Sequence, residues 1–416
     1  MFGFSDEISS RTRGALEAAI RANTNSYIQA YWIDAVCVPR SGPERIATLE
    51  SMGLIYSRAT CCIVLLERST FFAVWRSARG RARDTDIATI DREPWIRSVW
   101  TYQEVVNAST ITITTFDLET PMRMDGNDLF STTGKALRDV EENADVRGWD
   151  LAQRYPGISA LEGTLADWQV GEYLGMSALT CLTGIAGRHC DPERPSNRLF
   201  ALFGVLTNEA SWQTSDEEGV TSLTEEAIRL CERNGDFSFI YTSNVRESSA
   251  NRRWRPLPDP EHGLLPILRW HSWGVGQPGT LTDFGLELHD MAPLESSSEP
   301  SSEAVKAVQY WLQSFSGTKP HSIEEIHAQL PTDLSKLGLK PGAKCTTSNH
   351  GFIMTSFDLT PAEEVHYFAA ASLCWTFGAP GIAKIVKQGV LKRCIPIVHV
   401  GRQFQDVTDR VSVQLW

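Results

Sequence analysis

The sequence has no CxxC pair, no run of 18 apolar residues and, in PSNRLFALFGVL, no phosphate-loop glycine pattern. The first absence argues against a zinc ribbon or a dithiol redox centre. The second leaves no candidate for a transmembrane helix, and the third argues against a P-loop nucleotide site. His189 and Cys190 are adjacent, but no second pair stands at metal-ligand spacing, so no metal site is expected. The opening, MFGFSDEISS, lacks the basic and apolar regions of a secretory signal. Positive charge is also scarce: 39 Lys and Arg face 51 Asp and Glu, a net charge of −12. That balance counts against nucleic acid or an anionic membrane as partner. A cytoplasmic protein is expected, with its nine cysteines reduced.

What is present begins as an alternation of helix and strand. Residues 10–24 carry Leu16, Ala19 and Ile20 on one helical face. YIQAYWIDAVCVP reads as a buried strand at about 31–38. PERIATLESMGLIYSR, 43–58, reads as a helix with Pro43 in its first turn, and ATCCIVLLE as a second apolar strand at about 61–66. An Arg-rich segment, 76–93, reads as an exposed loop. EPWIRSVWTYQEVVNA reads as one helix and STITITT as a strand. Apolar strands separated by helices predict a parallel sheet covered on both faces, with 31–38 and 61–66 adjacent across a right-handed crossover.

The remaining chain divides as follows. Residues 1–118 form an α/β domain, and 119–206 a mostly helical extension ending in DPERPSNRLFALFGVL. Residues 207–290 are mixed, with a helix at 222–234 and a strand at DFSFIYTS. Residues 291–305, rich in Ser, Glu and Pro, read as a loop or linker. Residues 306–416 read as α+β, with strands at HGFIMTSFDL, CIPIVHVG and RVSVQLW around a helix-like GIAKIVKQGV. No internal repeat is seen.

Several spaced motifs carry a resemblance. Trp32, Ile33, Asp34 and Cys37, then Glu44, Arg45, Met52, Ile55, Tyr56 and Ala59, then Arg97, Trp100, Gln103 and Glu104 follow in order. This pattern resembles the HET (heterokaryon incompatibility) domain of filamentous fungi over roughly residues 10–206, and more distantly the TIR domain. The resemblance implies a flavodoxin-like fold and a role in fungal non-self recognition and regulated cell death. It also implies cleavage of the nicotinamide–ribose bond of NAD, with NAD as substrate and no cofactor. In TIR enzymes a Trp four residues before a Glu marks the catalytic helix, and Trp100 and Glu104 have that spacing. The family's usual opening strand, Leu-Ser-Tyr followed by Trp-Gly, has no counterpart in MFGFSDEIS. An incomplete pocket, and a sheet edge covered by another segment or a second copy, are therefore expected.

The residues themselves allow two readings of Glu104, which sits among Trp, Tyr and Val. One is a catalytic carboxylate beside Trp100, on the same helix face, stabilising oxocarbenium character on the ribose. The other is a structural ion pair with Arg97 or Arg45. Asp34, at a strand end, is a ligand contact or a loop cap. Tyr56 and Met52 are pocket or core, Arg97 a phosphate contact or a solvated helix-start residue. The alternative to an enzyme is a non-enzymatic signalling module, or a degenerate paralogue, acting through a protein partner or self-association.

Overall fold

The structure, a computed structural model, describes residues 10–23, 28, 30–81, 83–116, 122–129, 131–135, 148–174, 176–207, 219–297, 299–358, 360, 363–404 and 408–416. Readings that fall on 1–9, 136–147 and 208–218 lie outside these residues. The architecture is mixed α/β, in two compact units: residues 1–146, 150–169 and 188–218, and residues 147–149, 170–187 and 219–416.

In the first unit, α1 (Ser10–Ala22), α2 (Asp34–Cys37) and α3 (Pro43–Arg58) precede β1 (Cys62–Leu66). Then come α4 (Arg68–Ala78), α5 (Asp84–Asp91), α6 (Pro94–Arg97), α7 (Trp100–Val106), β2 (Ile111–Thr115) and β3 (Met124–Asp125). The sheet has the order β1-β2-β3. β1 and β2 are parallel, Cys62 opposite Ile111 and Leu66 opposite Thr115, and β3 is antiparallel to β2. Val64, Leu66, Ile111 and Ile113 give the sheet its buried face, packed against Phe71 and Val74 of α4, Ile90 of α5 and Val105 of α7. Nonpolar area removed from water at roughly 25 cal/mol per Å² supplies the driving force.

Three local expectations are corrected here. The stretch 31–38 is not a strand. Ile33 is extended, and the chain then turns into α2, where Cys37 and Val38 donate to the carbonyls of Ile33 and Asp34 and the Asp34 carboxylate accepts from the Ala35 N–H at 2.7 Å. An aspartate at a helix start, with Asp34, Ala35 and Val36 exposed, outweighs the β propensity of the run. The expected parallel pairing of 31–38 with 61–66 is therefore absent.

The segment 76–93 is not a loop. It closes α4 and contains α5, joined through Gly80 at φ +66°, which L side chains rarely adopt. Arg76 clamps the buried Asp86 with two nitrogens, at 3.1 and 2.5 Å, and Ile87 and Ile90 enter the core one turn apart. EPWIRSVWTYQEVVNA is two helices, not one. Ser98 is drawn into extended backbone beside His189: Val99 donates to the His189 carbonyl, and the His189 N–H to that of Arg97.

In the second unit an eight-stranded antiparallel sheet runs β11-β5-β8-β9-β10-β7-β6, with β4 also on β5. These strands are β4 (Gly279–Thr282), β5 (Gly285–Leu294), β6 (Lys344–Ser348), β7 (Gly351–Thr355), β8 (Glu364–Ala370), β9 (Gly378–Lys387), β10 (Val390–Gly401) and β11 (Val411–Leu415). GIAKIVKQGV is thus strand and hairpin rather than helix. Gln388 and Gly389, both at positive φ, make the two-residue turn that matches strand twist. DFSFIYTS is a 3₁₀ turn at Ser238–Ile240, and residues 291–294 belong to β5 instead of a linker. Helices Ser302–Ser316 and Ile323–Lys336 follow, each capped by a serine hydroxyl that accepts a backbone N–H.

None of the nine cysteines is in a disulfide, and Cys181, Cys231, Cys374 and Cys394 are buried. Alkylation under denaturing, non-reducing conditions is expected to label every one; a disulfide-linked peptide recovered by mass spectrometry overturns this.

Candidate functional site

Helix α3 carries Tyr56 in its last turn, β1 begins at Cys62, α6 carries Trp95 and α7 carries Glu104. These elements surround a cavity of about 770 Å³ within the first unit. Glu104 lies deep in the unit and keeps some surface only because it faces the cavity. Tyr31, Trp32, Ile33 and Asp34 close one side, and β1 from Cys62 to Leu65 another.

The Trp95 indole N–H donates to the Glu104 carboxylate at 2.6 Å. Trp95 is held in turn by its carbonyl, which accepts from the Thr101 hydroxyl. Trp32 meets Tyr56 edge to face, with ring centroids 5.7 Å apart. Burial in this pocket, with a smaller contribution from the charge of Asp34, raises Glu104 to about 7. Hydrogen bonds from Trp95 and the Tyr56 hydroxyl and the charge of Arg188 pull the other way. Burial and the neighbouring Glu104 charge push both the Tyr56 phenol and the Cys62 thiol well above their ordinary values. Glu104 is therefore the one of these three groups that changes charge near neutrality.

Gln103, beside Glu104, fixes α7 from its other face. It is fully buried, with its amide nitrogen 3.8 Å from the Met52 sulfur of α3. Asn107 donates to the carbonyls of Gln103 and Gly204 at 3.0 and 2.7 Å. Helix Asn197–Leu206 so reaches back onto α3 and α7, and α3 and that helix touch at Gly53 and Gly204. Arg188 is the third support. Its guanidinium donates to the carbonyls of Ile96 in α6 and Ser98 at the break before α7, and to Ala160 and Thr164. Burial lowers Arg188 to about 10, which leaves it charged at neutral pH. Beside it, burial raises Asp167 to about 7 while it accepts the Tyr102 hydroxyl at 2.8 Å.

Of the residues singled out from sequence, Glu104, Tyr56 and Asp34 line one cavity. Trp100 is half-buried and Arg97 exposed, and neither lines it. The indole at the carboxylate is that of Trp95, in the turn before α7, so the helical i, i+4 spacing of Trp100 points elsewhere. Met52 is core. Sequence reasoning missed Trp95, Cys62 and Arg188. Trp95 had a signal, an aromatic directly after Pro94; Arg188 had none, because its contacts are with backbone far along the chain. Among the described residues no cluster of His, Cys, Asp and Glu could hold a metal ion, and no helix is long and apolar enough to cross a membrane.

Residues 4–81 match the family model described as heterokaryon incompatibility protein (HET). The matched stretch contains Asp34, Tyr56 and Cys62; Trp95 and Glu104 come after it. No curated protein and no solved structure matches the chain.

Proposed function

We propose that the cavity around Glu104 binds NAD and cleaves its nicotinamide–ribose bond, as the TIR-like component of a HET protein in non-self recognition and regulated cell death. The observation that carries the reading is the Glu104 carboxylate facing a cavity of about 770 Å³, where the Trp95 indole N–H donates to it at 2.6 Å. That volume falls within the range of small-molecule sites. Nicotinamide leaves as a neutral group, taking the bonding electrons, so the protein must mainly stabilise positive charge on the ribose; an ionised Glu104 does so where the dielectric is low, and water then adds to the anomeric carbon and releases its proton to solvent. Asp34, which acts on Glu104 through its charge, stands on the same wall and is assigned to the ribose hydroxyls.

Incubating the purified protein with NAD, with nicotinamide release followed by chromatography, tests the reading. Release is expected, and its absence at high protein concentration overturns it. The pH profile adds a sign. Glu104 acts ionised, so the rate rises between about pH 6 and about pH 8 with a midpoint near about 7. A rate that falls over this interval means that the group works as a protonated acid instead.

A further inference from the structure

The second unit holds a cavity of about 360 Å³ that the reading above does not use. One wall is cationic: Arg246, Arg253, Lys340, Lys392 and Arg393. Its apolar lining includes Ile267, Met354 and Phe357. A single carboxylate, Glu247, stands among these cations, and it is engaged by Arg255 at 3.2 Å and Arg252 at 3.7 Å. Arg393 pairs with Glu363 at 3.0 Å. Arg246, Arg253, Lys340 and Lys392 take part in no ion pair among the described residues.

Arg246, Arg253 and Lys340 donate to backbone carbonyls. Arg246 gives both terminal nitrogens to the carbonyls of Ile240, Thr242 and Asn244, and its buried Nε has no acceptor. Arg253 donates to the Leu391 carbonyl and Lys340 to that of Ser243. Burial lowers Arg246 to about 10, so it is charged at neutral pH. Cys394, also on the wall, is pushed up to about 11 by burial and stays a neutral thiol. Four unpaired cations around one cavity repel one another in a chain whose net charge is −12, and an anion between them removes the repulsion. Arginine and lysine side chains lining one cavity suit a phosphate by their charge, since it carries close to two negative charges.

We propose that this cavity binds a small organic phosphate, its phosphate against Arg246, Arg253, Lys340 and Lys392 and its apolar body against Ile267, Met354 and Phe357. The site is independent of the Glu104 cavity and of any NAD chemistry.

Calorimetric titration of the full chain with phenyl phosphate, inorganic phosphate and phenol tests it. Phenyl phosphate is expected to bind, inorganic phosphate about tenfold or more weaker, and phenol not at all. The double variant Lys340→Gln, Lys392→Gln is expected to lose about tenfold or more in phenyl phosphate affinity, with an unchanged circular dichroism spectrum. Phe357→Ala should weaken phenyl phosphate and leave inorganic phosphate as it was. No heat with phenyl phosphate, undiminished affinity in the double variant, or inorganic phosphate binding as tightly as phenyl phosphate overturns the proposal.

Discussion

Gly53→Ala lowers the stability of the protein by about 3 kcal/mol, near the top of the range for overpacking a tight contact. A Cβ at this position meets the Gly204 carbonyl oxygen at 2.1 Å and its Cα at 2.6 Å. Both obstacles are backbone, so no rotamer change relieves them; α3 and helix Asn197–Leu206 must move apart. Gly204→Ala is expected to cost less, about 1–2 kcal/mol. Its Cβ meets the Gln103 Oε1 at 1.8 Å, an atom at the end of a side chain that can shift. Because Tyr56 lies one turn beyond Gly53 on α3, the first variant also displaces the phenol from Glu104. Urea unfolding reads the stability, and a midpoint for Gly53→Ala equal to that of the natural protein removes the argument.

Glu104→Gln is expected to abolish cleavage of NAD, by roughly a thousandfold as for the loss of one preorganised charge, and to stabilise the fold above neutrality. The sign follows from the direction of the shift. Glu104 is raised from 4.5 to about 7 on folding, so its protonated form suits the native state. That contribution is complete below about pH 4.5 and is lost as the pH rises through 7. Glutamine keeps the neutral side chain at every pH and still accepts the Trp95 indole N–H. The variant should therefore match the natural protein at about pH 4 and exceed it by roughly 3 kcal/mol at about pH 8. A variant that is less stable at both pH values and still cleaves NAD identifies Glu104 as a structural partner.

The parts legible in the sequence were those in which one periodicity governs one element. Helix α3, with Pro43 in its first turn, and the apolar runs of β1 and β2 announce themselves. So does the odd chemistry of Glu104 among aromatic residues. The parts that were not legible are set by partners distant in the chain. Residues 31–38 have the composition of a strand, yet β1 pairs on its other side with β2, and Asp34 begins a helical turn. Ser98 breaks an otherwise continuous helix because His189 and Arg188 take its backbone, and nothing local marks it. GIAKIVKQGV has helical spacing of its apolar residues, but Gln388 and Gly389 fold it back on β10, and the β-branched side chains fit the pleat.

Arg188 also determines how the site can be handled as a piece. It grips the carbonyls of Ile96 in α6 and Ser98 at the break before α7, and Asn107 of the neighbouring turn is tied to Gly204. The stretch that matches the family model, residues 4–81, therefore contains neither Glu104 nor the groups that hold it in place. Transplanting that stretch into another chain carries Tyr56 and Asp34 without the carboxylate between them. A fragment cut after β2 keeps Glu104 but removes its anchors. The smallest transferable cassette is discontinuous in sequence: it runs through β2, takes in Ala160 and Thr164, and resumes at Arg188 through Leu206.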